Sequence, residues 1–274
     1  MITKFTTDDN LKFAYKYNNK LNNDNEFPVL FITNLGNVSD TYEQIALRLS
    51  NNFNTILYDL RGHGLNKDIG TLLTFSQNID DIISLLNHLN ISKVNVIGNS
   101  FGAHLAIQLS SKYPHYVNSI VLEDYVPNSY LNDNFLTSIF QLDKLQSYVS
   151  KIDYINHFNS IDSYMNEINL NSLVKKLLVC TESKYFPLTN HNLLKFFNEN
   201  NQELQDVSSI NHPTIILRGS RSSSIDSEAI QKIVMKNDLL RSSSIEMSNS
   251  MPHLVNSDIF LSQVTKFLSL YSKI

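Results

Sequence analysis

The sequence predicts an α/β fold: a mostly parallel sheet flanked by helices, with one inserted helical segment. Three observations carry this reading. Short apolar runs alternate with segments of helical periodicity up to residue 122 and again from residue 214. The alternation lapses between about Pro127 and Asn211, a stretch that holds no glycine. Four of the 7 glycines, Gly36, Gly62, Gly64 and Gly219, fall directly after predicted strands. In an open parallel sheet that edge, at the carboxyl ends of the strands, is where a site lies.

The elements follow in order. Ile2 to Tyr17 reads as two strands broken by the turn Thr7-Asp8-Asp9-Asn10. Pro28 opens the strand Val29 to Ile32, which runs into the loop Thr33-Asn34-Leu35-Gly36-Asn37. Tyr42, Ile45, Leu47 and Leu49 suggest a short helix, and Thr55 to Tyr58 a strand ending in Asp59-Leu60-Arg61-Gly62-His63-Gly64. Phe75, Ile79, Ile82, Ile83, Leu86 and Leu89 have helical spacing. Val94 to Ile97 is a strand, Ala103 to Ser111 a helix and Ile120 to Leu122 a strand. Short helices are expected over Phe135 to Tyr148, Ile161 to Ile168 and Leu193 to Phe197. The strand Thr214 to Leu217 resumes the pattern, with a helix through Ala229-Ile230, a strand near Ser243 to Met247 and a final helix carrying Phe260, Val264, Phe267, Leu268 and Tyr271. The expected division is a core of residues 1–126 and 212–274 with a helical cap over 127–211.

At 274 residues, 42% hydrophobic and 18% charged, the chain is long enough for a large core. A net charge of -4 leaves no basic footprint for nucleic acid. No apolar stretch reaches the length of a membrane span, and the first twenty residues lack the apolar centre of a signal peptide, so a cytoplasmic location and no membrane partner are expected. The single cysteine, Cys180, forms no intrachain disulfide. It follows Leu177-Leu178-Val179 and reads as a core residue.

The chemistry is concentrated in Gly98-Asn99-Ser100-Phe101-Gly102. This is a G-x-S-x-G pattern after a predicted strand and before a predicted helix, the context that gives the motif its meaning. A sharp strand-to-helix turn strains its middle residue and needs small flanking residues. It also aims free N–H groups and the positive end of a helix dipole at the serine.

On these residues, together with Val29 to Gly36, Asp59 to Gly64, Ile120 to Pro127, Pro213 to Gly219 and Pro252-His253, the chain resembles the α/β-hydrolase superfamily over nearly its whole length. The segment Ile32 to Gly36 lacks the frequent His-Gly pair and looks like the Asn-Ser-Leu-Gly variant of enol-lactone hydrolases. The resemblance implies Ser100 as nucleophile and an oxyanion hole formed by the backbone N–H groups of Leu35 and Phe101. It implies His253 as base, since only this one of 8 histidines lies between the last predicted strand and the last helix. His63 matches a structural loop of the family, and His104 sits just inside the helix after the serine turn. No pair of histidines has metal-ligand spacing, so no metal and no cofactor are expected.

The acid is harder to place. The family usually puts it in the loop after Thr214 to Leu217, three or four residues past Gly219, where this chain has Ser222 and Ser223. Asp226 follows but suits a helix cap. The superfamily's second location, after the preceding strand, holds Glu123-Asp124, and Asp124 aligns with the acid of members that use it. Asp124 is therefore the expected third member, with Asp226 or no acid at all as alternatives.

The function implied is that of a serine hydrolase acting on a small-molecule substrate through an acyl-enzyme. The aromatic residues of residues 127–211, among them Phe135, Tyr148, Tyr164, Tyr185 and Phe196, favour a small, largely apolar ester, lactone or thioester. Two other readings stand: hydrolysis of a carbon–carbon bond in a ring-cleavage product, where Gly-Asn-Ser-Phe-Gly also occurs, and a non-catalytic ligand-binding protein on the same scaffold, suggested by the absent acid after Leu217.

Overall fold

The computed structural model of the chain describes residues 2–19, 26–67, 74–125, 150–153, 155–156, 167–181, 184–188, 210–222 and 225–271. An eight-stranded sheet is built from β1 (Ile2–Thr6), β2 (Lys12–Asn18), β3 (Val29–Ile32), β4 (Thr55–Tyr58), β5 (Val94–Asn99), β6 (Val117–Glu123), β9 (Thr214–Gly219) and β10 (Leu240–Ile245), in the order β1-β2-β4-β3-β5-β6-β9-β10. The six strands from β4 to β10 are parallel, and β1 and β2 add an antiparallel edge. From β3 the chain steps outward to β4, then returns past β3 to β5 and proceeds the other way. That reversal opens a crevice between the loops after β3 and β5, the usual ligand position in such sheets.

The strands in the middle of the sheet are buried on both faces, which is why Val29 to Ile32 and Thr55 to Tyr58 read as continuous apolar runs. One face packs α2 (Phe75–His88) and α3 (Phe101–Lys112) through residues such as Ile82, Leu85, Leu105, Ile120 and Leu122. The other packs α1 (Glu43–Leu49) and the last helix, Ser257–Tyr271, through Ile45, Leu49, Val121, Leu217, Phe260 and Val264. Thr74 caps α2, its hydroxyl accepting the Gln77 N–H at 3.0 Å.

Two elements differ from expectation. Strand β10 starts at Leu240, three residues before the expected Ser243, because all six of its residues pair with β9 from Thr214 to Gly219. Only its end residues, Leu240 and Ile245, are buried, so the serine-rich middle carries no alternating signal. Between β6 and β9, helix α4 (Glu167–Leu177) leads into an antiparallel hairpin, β7 (Leu178–Thr181) and β8 (Lys184–Pro187), rather than helices alone. The β-branched and aromatic content of Val179, Thr181, Tyr185 and Phe186 suits a strand pair. Cys180 lies exposed on this hairpin, not in the core, because a two-stranded ribbon leaves its outer residues in water. The helices expected at Phe135–Tyr148 and Leu193–Phe197, and most of Ile161–Ile168, lie outside the described residues.

Helix α4 covers the carboxyl edge of the sheet. Leu170, Leu173, Val174 and Leu177 pack on Val38, from the loop after β3, and on Met251, from the loop after β10. Among the described residues no helix is long and apolar enough to cross a membrane.

The loop after β4 is fixed to the body of the fold by a buried ion pair. Arg61 donates from Nε and Nη2 to the two carboxylate oxygens of Asp81 on α2 at 3.0 and 2.6 Å, and reaches Asp9 at 3.0 Å. Burial makes such a pair costly to break from one side only. Replacing Arg61 by Leu should destabilise the chain by roughly 3–5 kcal/mol, because Asp81 would keep a buried charge without its partner. Urea unfolding of the variant beside the wild type measures this.

Candidate active site

The turn from β5 to α3 is as tight as its sequence implies. Ser100 has φ +49° and ψ −107°, a conformation that non-glycine residues rarely hold. The turn leaves no room on either side. A Cβ on Gly98 would lie 2.4 Å from the carbonyl oxygen of Gly102, and a Cβ on Gly102 would lie 2.1 Å from that of Ile32. Both glycines let helix α3 start directly against strands β3 and β5. The Ser100 N–H donates to the Glu123 carbonyl at 3.2 Å, which ties the turn to the end of β6.

The amide groups of Leu35 and Phe101 point at a common spot. Both donate to Oδ1 of Asn34, at 2.8 and 3.3 Å. The half-buried Asn34 carboxamide therefore holds an sp² oxygen between two N–H groups beside the serine. The loop that supplies Leu35 is pinned from below. His63 accepts the Gly36 N–H at Nε2 (3.0 Å), and its Nδ1 donates to the Arg61 carbonyl at 3.0 Å. Burial lowers the His63 pKa to about 4, so the ring stays neutral in this two-way bridge. The Asp59 carboxylate accepts the Ser39 N–H at 2.6 Å and the Leu65 N–H at 3.0 Å, joining the loops after β3 and β4.

His253 sits on the short helix α6 (Pro252–Val255), between β10 and the final helix α7 (Ser257–Tyr271). Its Nδ1 meets Oε1 of Glu123 at 2.7 Å, and its backbone N–H donates to the same oxygen at 2.9 Å. The other carboxylate oxygen, Oε2, accepts the Tyr42 hydroxyl. Nε2 of His253 is buried and has no hydrogen-bond partner among the described residues. Asn99 links the serine strand to this loop, donating from Nδ2 to the Ser250 carbonyl at 3.0 Å.

The structure corrects the expected acid: Glu123, not Asp124, meets the histidine. Successive strand residues face opposite sides of a sheet. Glu123 shares a face with Val121, on the side that holds Tyr42 and Phe260, and the His253 ring packs edge-on to Phe260 at 6.2 Å. Asp124 comes one residue later, at φ +47°, and turns away. Its Oδ2 accepts the Ser222 hydroxyl at 2.6 Å and its Oδ1 the Gly219 N–H at 3.3 Å. So Ser222, in the usual acid loop, is tied to Asp124 instead of to the histidine. Asp226 caps the helix α5 (Ser227–Val234), accepting the Glu228 N–H at 3.1 Å, and makes no contact with the site. Ser223 lies outside the described residues. His104 is buried against Phe75 at 4.5 Å and shares a hydrogen bond of 2.8 Å with the Tyr125 hydroxyl. Among the described residues, no three His, Cys, Asp or Glu side chains cluster as a metal site would need.

Comparisons with known proteins identify the family. A family model described as the alpha/beta hydrolase fold matches residues 28–234. The chain belongs to the α/β-hydrolase family. A "Putative esterase/lipase" from Haemophilus influenzae is 25% identical over 248 residues, covering 88% of this chain and 83% of that protein. A 2-(acetamidomethylene)succinate hydrolase from Mesorhizobium japonicum is 34% identical over 99 residues, so the chain matches only 36% of that relative's length, and 36% of its own. Among solved structures, an E-2-(acetamidomethylene)succinate hydrolase superposes with a TM-score of 0.79 at 19% identity, covering 98% of this chain and 100% of that one. An alpha/beta hydrolase from Novosphingobium aromaticivorans superposes with a TM-score of 0.83 at 15% identity, with 98% of each chain covered. At these identities the superpositions speak to the fold alone.

The site makes two predictions about stability. Gly102→Ala should destabilise the fold by more than about 2 kcal/mol, since the added methyl meets backbone that has nowhere to move; thermal unfolding reads this. The second concerns pH. Burial raises the Asp124 pKa from 3.8 to about 7, against the hydrogen bonds from Ser222 and Gly219 that favour its charged form. The folded chain thus keeps this proton where the unfolded chain has lost it, so the stability it contributes is full below about pH 4 and falls as pH rises toward 7. Asn at this position does not ionise. Urea melts should therefore show the wild type losing ground to Asp124→Asn between about pH 4 and 7, by up to roughly 1.4 kcal/mol per unit, and levelling off above.

Proposed function

We propose that this α/β hydrolase is a serine hydrolase that cleaves a small, largely apolar ester, lactone or thioester through an acyl-enzyme. The observation that carries the reading is the pair of N–H groups of Leu35 and Phe101 converging on one oxygen next to Ser100. A binding scaffold has no need of two buried donors aimed at a single sp² oxygen beside a strained serine.

In this reading Ser100 Oγ attacks the substrate carbonyl and passes its proton to His253 Nε2, the nitrogen without a hydrogen-bond partner among the described residues. Glu123 holds the ring through Nδ1 and stabilises the imidazolium that forms. The carbonyl oxygen, now carrying negative charge, takes the place of Asn34 Oδ1 between the two amides. His253 returns the proton to the leaving group, and a water activated by the same nitrogen releases the acyl group. The proposed substrate faces the apolar cover supplied by α4 with Val38 and Met251, and Phe75 stacks on Phe101 at 5.4 Å behind the hole. The proposal keeps the division into a core and a cap over residues 127–211. A second reading, favoured by the likeness to the succinate hydrolases, is hydrolysis of an acetamide-bearing or carbon–carbon substrate by the same residues. Turnover of p-nitrophenyl acyl esters compared with an N-acyl enamine separates the two.

Labelling with a serine-directed fluorophosphonate tests the mechanism. One adduct per chain is expected, lost in Ser100→Ala. Glu123→Gln should slow labelling by about 10³–10⁴-fold, the scale of a triad carboxylate replaced by its amide, while Asp124→Asn leaves the rate near wild type. Asn34→Ala should speed labelling by about 3- to 10-fold, because the incoming oxygen no longer displaces an internal hydrogen-bonded one. Labelling that survives Ser100→Ala places the nucleophile elsewhere.

A further inference from the structure

We propose that Tyr42 is a positioning residue that holds the Glu123–His253 pair in register; the inference rests on the reading of that pair as part of a hydrolase site. A glutamate is a loose support for a catalytic imidazole. It has one more rotatable bond than aspartate, and its terminal torsion is broad. Glu123 nonetheless stands fully buried, at 0% exposure, with its carboxylate facing three donors. Two of them belong to His253 and both use Oε1. The third, the Tyr42 hydroxyl, donates to Oε2. Without it, only Oε1 is held, and by the very residue it has to position, while a carboxylate oxygen is left unpaired in the core.

Tyr42 acts on the histidine as well. Its ring lies 4.0 Å from the imidazole, centroid to centroid, with 21° between the planes. Phe31 backs it at 5.1 Å, and Phe260 meets the far side of the site edge-on to His253. One side chain thus clamps the carboxylate through its hydroxyl and braces the face of the ring it serves. The hydroxyl remains a donor: burial, and then the negative Glu123, push the Tyr42 pKa well above its ordinary value. Tyr42 also ends the turn Ser39–Tyr42, which follows directly on the loop that presents Leu35. A single stretch of eight residues from Leu35 to Tyr42 therefore supplies one oxyanion donor and the brace of the acid–base pair.

The test reads the His253 Nδ1 proton directly. A proton held between an imidazole and a buried carboxylate gives a ¹H resonance far downfield of the amides, and its assignment here is its loss in His253→Ala. In Tyr42→Phe, which keeps the ring and removes the hydroxyl, this line should shift or broaden. Fluorophosphonate labelling at saturation should fall by about 10-fold or more, with half-saturation unchanged. If Tyr42→Phe does not fold, replacing all 13 tyrosines with 3-fluorotyrosine makes each phenol a stronger donor without changing its shape, and the same line should move. An unchanged downfield line in the folded sample overturns the proposal, whatever the labelling rate. Failure of the wild type to label sinks the hydrolase reading instead, and the resonance still decides the role of Tyr42.

Discussion

The strand-to-helix turn at Ser100 is the constraint around which the rest is arranged. It brings the first turn of α3 against the end of β3, so close that the Gly102 Cα stands where any side chain would strike the Ile32 carbonyl. This contact is what sets the Phe101 N–H beside the Leu35 N–H. The two donors come from segments 66 residues apart in sequence, and only the packing of α3 on β3 gives them a common target. The strained Ser100 backbone persists because both neighbours are fixed: β5 by pairing with β3 and β6, and α3 by its buried face.

Around this turn polar bridges join the loops to one another, beside the apolar packing of Leu35, Val38, Leu60 and Met251. His63 joins the loop after β3 to the loop after β4, Asp59 does the same one turn along, and Arg61 anchors the second loop to α2. Asn99 joins the serine strand to the histidine loop, and Glu123 joins β6 to it. Hydrogen bonds between buried groups are directional, so they set the orientation of loops that apolar packing alone would leave free to slide. The adjacent carboxylates of β6 divide the task. Glu123 serves the histidine, while Asp124 holds the loop after β9 through Ser222 and Gly219. A chain in which the usual acid position is serine thus keeps that loop in place with a neighbouring aspartate.

Most of the fold was legible in the sequence. Buried parallel strands read as apolar runs, amphipathic helices as 3.6-residue spacing, and the glycine-flanked serine as a sharp turn; each is a local property written in consecutive residues. The same local patterns singled out Ser100, His253, Leu35 and Phe101 as candidates. The β7–β8 hairpin and the exposure of Cys180 were not, because four-residue strands look the same as short helical segments until their pairing is known. The shared acceptor Asn34 Oδ1 was also hidden, since Asn34 and Leu35 adjoin in sequence but Phe101 reaches them only through the fold.

The acid shows the boundary most clearly. The sequence by itself determined that two carboxylates, Glu123 and Asp124, stand side by side directly after the predicted strand Ile120 to Leu122. It determined that the usual acid position holds serine. Which face receives the histidine was decided only by tertiary structure, because α7 packs with α1 on the Val121 side and carries the His253 loop with it. The left-handed backbone of Asp124 turns it off the strand, and the packing of distant helices fixes that Glu123 meets the ring.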